Sequence, residues 1–307
     1  MMTAAGTPLP GPLRGSFVGI DVGENFLDLA IVDTPPRTLV FKRVALDGLN
    51  GTACGTLAQR IKDAAPELDE RATALVDSPR WPRDLDWSRG THKRAPAPRG
   101  RAVDAGLRQI FRTLVAVSAG KAVREVKVRM QGLSMFPTPR YDYFARCARD
   151  PRCKPHLSAI AAELFGAFLN DDGDARGLAP SGGAIFTRFM LAGFATYRAL
   201  ERLGVQAFES YPDLQLRLSS PTTELPPKAR RAEALAARRR IVASLAARLR
   251  LRDTPVAATL DQADAAALAL AAAVAARSGT LWVLSNPCEG RFMLALDARQ
   301  ARHLGLS

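Results

Sequence analysis

The segment "GSFVGIDVGENFLDLAIVD", residues 15–33, holds two apolar runs, 17–22 and 26–32, separated only by Gly23, Glu24 and Asn25. Short runs rich in Val, Ile and Phe are strand-like. A three-residue gap containing Gly and Asn, which tolerate positive φ, is a hairpin connection. A chain that opens on a hairpin needs a sheet for it to join. A third strand-like run follows at 38–44, then a helical pattern at 49–64, then "ATALVD" at 72–77. Strand, strand, strand, helix, strand begins an α/β fold rather than a bundle or a sandwich.

Beyond that opening, the pattern predicts a helix at 184–203 and a strand in "VQAFESYP", 205–212, with Glu209 at its end. A basic helix at 228–249 and an alanine-rich helix at 260–276 follow, the latter with Leu260, Ala263, Ala267, Leu270 and Val274 at 3–4 spacing. "TLWVLSN" and "RFMLAL" read as a terminal strand pair. Residues 78–100 are rich in Pro, Arg and Trp without period, hence a long loop. Helical periodicity returns at 101–119 and 140–166, with a strand-like run at 123–130 between them. The turn cluster at 170–183 lacks the twelfth-position glutamate of a calcium loop. The organisation expected is a disordered Gly/Pro-rich leader, 1–15, and one domain, 16–307, with a basic loop insertion at 78–100 and a partly helical insertion at about 120–183. With 307 residues and 47% apolar content there is ample material for a buried core.

Charge is concentrated. Lysine is scarce, 7 against 36 arginines, and two segments, 80–101 and 228–252, net +5 and +8, which accounts for the whole formal charge of +13. Localised positive charge suits a partner with a phosphate backbone, so nucleic acid is the expected partner. No apolar run reaches the roughly 18 residues of a membrane-spanning helix, and the N-terminal residues lack a signal peptide's apolar segment, so the expectation is no membrane and a cytoplasmic location. Cys54, Cys147, Cys153 and Cys288 form no CxxC pair and have no histidines at zinc-finger spacing. None of His92, His156 and His303 stands beside a GxSxG nucleophile motif, and neither a P-loop nor a GxGxxG after a strand occurs. Nothing in the sequence sets an oligomeric state.

Five acidic residues share a context. Asp21, Asp77 and Glu209 end apolar strands, and the pair Asp261/Asp264 lies on one face of the alanine-rich helix. In an open α/β sheet, side chains at the carboxyl ends of strands converge on one point. Like charges brought together raise one another's pKa, and a bound cation relieves them; hard oxygen donors suit Mg²⁺ or Mn²⁺. Asp264, beside a stripe of alanines that lets its helix approach the sheet, is costly there unless something pairs with it.

These residues resemble a family. "FVGIDVGENFLDLAIVD" is similar to the first hairpin of the ribonuclease H-like fold, and "DQADAAALALAAA", 261–273, resembles the closing helix of its Holliday-junction resolvase branch. "ALVDSPR", "FESYPDLQLRL", the "ARRR" helix and "CEGRFMLAL" resemble, in that order, an uncharacterised family of ribonuclease H-like nucleases (domain of unknown function family 429). The resemblance implies a mixed sheet of about five strands flanked by helices, with Asp21, Asp77, Glu209 and Asp264 as catalytic metal ligands and Asp261 as a fifth. In place of a compact glycine-containing segment, the loop after Asp77 carries Trp81-Pro82-Arg83. The chemistry expected is phosphodiester hydrolysis with two Mg²⁺ or Mn²⁺ ions about 4 Å apart. Arg80, Arg83, Lys228, Arg238, Arg239 and Arg240 would hold phosphates, and Tyr211, Trp81 or Trp87 would stack on a base. Two alternatives stand beside it: a non-catalytic nucleic-acid binder or partner module, and an actin-like or sugar-kinase ATPase opening on Asp21-Val22-Gly23. Glu24, which would repel ATP phosphates, counts against the latter.

Overall fold

In chain order the elements are β1 (Ala5–Pro8), β2 (Phe17–Val22), β3 (Phe26–Asp33), β4 (Thr38–Ala45), α1 (Cys54–Ala64), β5 (Thr73–Asp77), α2 (Thr187–Arg202), β6 (Gln206–Glu209), α3 (Pro212–Ser219), α4 (Arg231–Leu249), α5 (Leu260–Arg277), β7 (Leu281–Asn286) and β8 (Gly290–Ala295). They come from a computed structural model that describes residues 5–8, 15–23, 25–33, 37–46, 54–78, 187–220, 223–278, 281–286 and 290–295. The expected elements between 101 and 166, the turn cluster, and nearly all of the basic loop, with Arg80, Arg83, Trp81 and Trp87, lie outside the described residues, as does Glu24.

The protein is α/β: one mixed sheet in the order β1-β7-β8-β6-β5-β2-β3-β4, flanked by helices. The antiparallel meander β2-β3-β4 follows from the short connections seen in the sequence. β5 and β6 then add parallel to β2 on its other side. β7 and β8 pair with each other, and β8 touches β6 through Glu209 and Phe292. Ala5–Pro8, expected inside a disordered leader, is an edge strand paired antiparallel with β7. A sheet edge presents a row of backbone donors and acceptors that captures a short segment whatever its side chains.

The β2–β3 turn is closed by the Gly23 N–H donating to the Phe26 carbonyl at 2.9 Å. Gly23 does not use positive φ, contrary to expectation. Gly23 answers to space, since a Cβ there would sit 2.9 Å from that carbonyl oxygen. Strand alternation sorts the buried residues into two layers. Phe17, Leu75 and Phe208 join Ile241, Leu245 and Leu268 under α4 and α5. Val18, Ile20, Leu29 and Val76 are buried on the other face, where α1 packs on β4 and α2 on β6, the two helices against each other.

α5 starts at an N-cap, Thr259, whose hydroxyl accepts from the Gln262 N–H, and it is buried along most of its length. Its alanines let it lie directly on β2: a Cβ at Gly19 would meet the Ala265 carbonyl oxygen at 1.9 Å. α4 covers α5 and ends at Arg250, in the left-handed conformation with φ 56. Lys228, expected inside this helix, precedes it in a turn. Where the sequence suggested that β6 continues to Pro212, the strand stops at Glu209 and Pro212 opens α3 at a helix first turn, where a missing N–H costs nothing.

Candidate functional site

Asp21 and Asp77 are direct neighbours. β2 and β5 run parallel with Asp21 opposite Asp77, so the two side chains leave the same face at the carboxyl ends of adjacent strands. Asp21 is buried, and it hydrogen-bonds Asp77. Burial chiefly, then the charges of Asp77 and Asp264, push the Asp21 carboxyl well above its ordinary range, with Lys228 opposing. Asp77 is pushed up to about 7, again mostly by burial, with Lys228 and the hydrogen bond from Asp21 pulling the other way and Asp264 and Glu209 adding to the rise. Two carboxyls this close, both raised, titrate as a coupled pair.

On the other side of β2, Asp21 faces Asp28 of β3. Asp28 is fully buried and takes a bidentate grip from its own cross-strand partner Arg43, Nε to Oδ1 at 2.9 Å and Nη2 to Oδ2 at 2.7 Å. The Arg43 guanidinium also lies 4.0 Å from the Phe26 ring centroid. Sequence reasoning passed over Asp28. The signal was present: the hairpin register pairs it with Asp21, and it interrupts an otherwise apolar strand.

Because α5 rests on Gly19, two residues before Asp21, its first turns lie over the strand ends. Asp264 is completely buried there. The partner it requires comes from the chain itself: Arg238 Nε donates to Oδ1 at 2.7 Å, and Lys228 Nζ stands 2.7 Å from Oδ2. Burial alone would lower the Lys228 ammonium, but Asp264, Asp21 and Asp77 hold it well above its usual value. Asp261, half-buried, is raised by burial, with Lys228 opposing and Asp28 and Asp264 adding to the rise.

Glu209 departs from the expected set. It lies opposite Val76, so alternation sends its buried side chain to the face away from Asp21 and Asp77, within electrostatic reach of Asp77. Among the described residues, no three or more His, Cys, Asp or Glu are grouped so as to hold a metal ion. Of the expected carboxylates, Asp21 and Asp77 lie side by side with Asp264 and Asp261 within electrostatic reach of Asp21, Glu209 lies on the other face by register, and Asp264 is paired with Arg238 and Lys228. The Asp21–Asp77 pair presents hard oxygen donors whose burial and crowding raise both carboxyls.

The arginines expected to hold phosphate separate as well. Arg238 is 1% exposed and tied to Asp264, with Nη2 3.9 Å from Asp213, so it is an internal counter-ion. Arg239 donates to the Ala257 carbonyl at 2.7 Å, and Arg240 is exposed. Beside the acids opens a cavity of about 330 Å³, walled by Asp77, Lys228 and Asp264 on one side and by Tyr211, Pro226 and Pro227 among others. No described helix is long and apolar enough to cross a membrane. No protein-family model, curated protein or solved structure matches the chain.

Proposed function

We propose that the chain is a nuclease of ribonuclease H-like fold that hydrolyses phosphodiester bonds of DNA or RNA with one Mg²⁺ or Mn²⁺ held by Asp21 and Asp77. The observation that carries the reading is the in-register placement of those two carboxyls at the carboxyl ends of adjacent parallel strands, with a lysine ammonium among them. When bound, such an ion polarises a phosphoryl oxygen and lowers the pKa of a coordinated water. The residues supply the rest. Asp21 and Asp77, once ionised, would hold the ion through their carboxylate oxygens and, through it, the phosphate. Lys228, its side chain 53% exposed, reaches a non-bridging oxygen from the opposite side and offsets charge developing in the transition state. Arg238 is a positioning residue: by occupying Oδ1 of Asp264 it leaves Oδ2 to orient the ammonium. Exposed Arg240 extends the cationic surface along α4.

Replacing Asp21 or Asp77 by Asn is expected to remove at least about a thousandfold of Mn²⁺-dependent cleavage of labelled DNA and RNA, while salt-sensitive binding persists. Cleavage undiminished in either variant refutes the assignment. One observation favours a second reading, a non-catalytic nucleic-acid binder: Asp264 is already satisfied by Arg238 and Lys228, so this part of the network is complete without an ion. A wild-type chain that binds nucleic acid but cleaves none of it with either metal decides for that reading.

A further inference from the structure

The cavity beside Asp77 is unlike a phosphate pocket. Its cations are matched by its carboxylates: Arg217 Nε donates to Asp213 Oδ2 at 2.8 Å, and Arg238 and Lys228 are both engaged by Asp264. Every cation on its walls is ion-paired within the cavity lining. The remaining lining is flat and apolar: the Tyr211 ring, Leu225, Pro226 and Pro227. Among the described residues the large hydrophobic side chains left exposed are Val256 and Tyr211, the latter at 37%. Its position follows from the sequence, because the residue before a proline is held extended and Pro212 starts α3 immediately after β6. At about 330 Å³ the space is at the small end of ligand pockets, enough for one nucleoside and not for a stacked helix.

We infer that this cavity receives a single unpaired nucleobase of the substrate strand, stacked against Tyr211 beside the Arg217–Asp213 pair, with its phosphate left at the rim over Asp77 and Lys228. The inference rests on the phosphodiester reading of the acidic pair and deepens it: the substrate is single-stranded or locally unpaired. An aromatic face accepts any base, so the pocket selects for strandedness rather than sequence.

The test is fluorescence anisotropy in EDTA, with a fluorescein-labelled oligothymidylate and a blunt duplex of equal length. The wild type is expected to bind the single strand about tenfold tighter or more. Tyr211→Ala removes that preference and Tyr211→Phe keeps it, both variants retaining the wild-type circular dichroism. Equal affinity for the two probes, or a preference that survives Tyr211→Ala, overturns the inference. Metal-dependent cleavage measured in parallel separates the two ideas. Cleavage without a Tyr211-dependent preference sinks the pocket and spares the nuclease; such a preference without cleavage spares the pocket and sinks the nuclease.

Discussion

Arg238 and Arg240 sit in one run of three arginines and have opposite fates. The buried stripe of α4 runs through Ala234, Ala237, Ile241 and Leu245, and position 238 falls within it while 240 falls on the solvent side. Helical phase makes this division legible in the sequence, but the run of three identical residues hides it. Truncating Arg238 to Ala leaves Asp264 buried with only Lys228, and is expected to cost about 3–5 kcal/mol in urea unfolding. Arg240→Ala should stay within about 0.5 kcal/mol of wild type while reducing the slope of log affinity against log salt by about one. Asp77 supplies a pH signature. Its folded-state pKa is about 7 against an ordinary 3.8, so the folded state holds its proton more tightly. That contribution is fully present below 3.8 and is lost as pH rises through about 7. In chelator, Asp77→Asn should therefore melt about 5 °C or more above wild type at pH 8 and level with it at pH 4. Mn²⁺ should close the gap by raising only the wild type. A gap that is the same at both pH values contradicts the assignment.

At the level of elements, the close seating of α5 on β2 depends on a glycine facing a helix of alanines. The alanine stripe announced a close approach, and the hairpin announced β2. That the contact falls at Gly19 was not legible, because it depends on how far along the helix the strand crosses. Gly19→Ala places a methyl group against the Ala265 backbone carbonyl, which no side-chain rearrangement relieves. The expected loss is about 3 kcal/mol in urea unfolding, at the upper end of overpacking costs. Ala265→Gly in the same chain should not restore it, since the obstruction is main chain; restoration shows that the helix yields. α3 went unread because Tyr211-Pro212 looks like the end of a strand, and a helix of 8 residues leaves little periodicity to detect.

Across the whole molecule, the α/β class and the strand-end positions of Asp21, Asp77 and Glu209 were readable from apolar runs. The direction of each side chain was not. Glu209 shows why: a register offset of one residue between neighbouring strands moves a carboxylate to the opposite side of the sheet, and the sequence does not contain the register. Formal charge misleads for a related reason. Of the cations in the 228–252 segment, Arg238 is buried against Asp264, Arg239 is spent on a backbone carbonyl, and Lys228 is shared with Asp264. A salt titration of nucleic-acid binding should accordingly give a slope well below that of the nine cations in this segment, each counted at about 0.9. The furrow at Gly19 also bears on how the chain is made. β2 and β3 are complete by Asp33, whereas α5, which packs on both, begins only at Leu260. Until α5 is made, its contacts on Gly19 and the neighbouring apolar residues of β2 are missing. A nascent chain stalled before residue 260 should be a substrate for chaperones, and one extended through Arg277 should escape them.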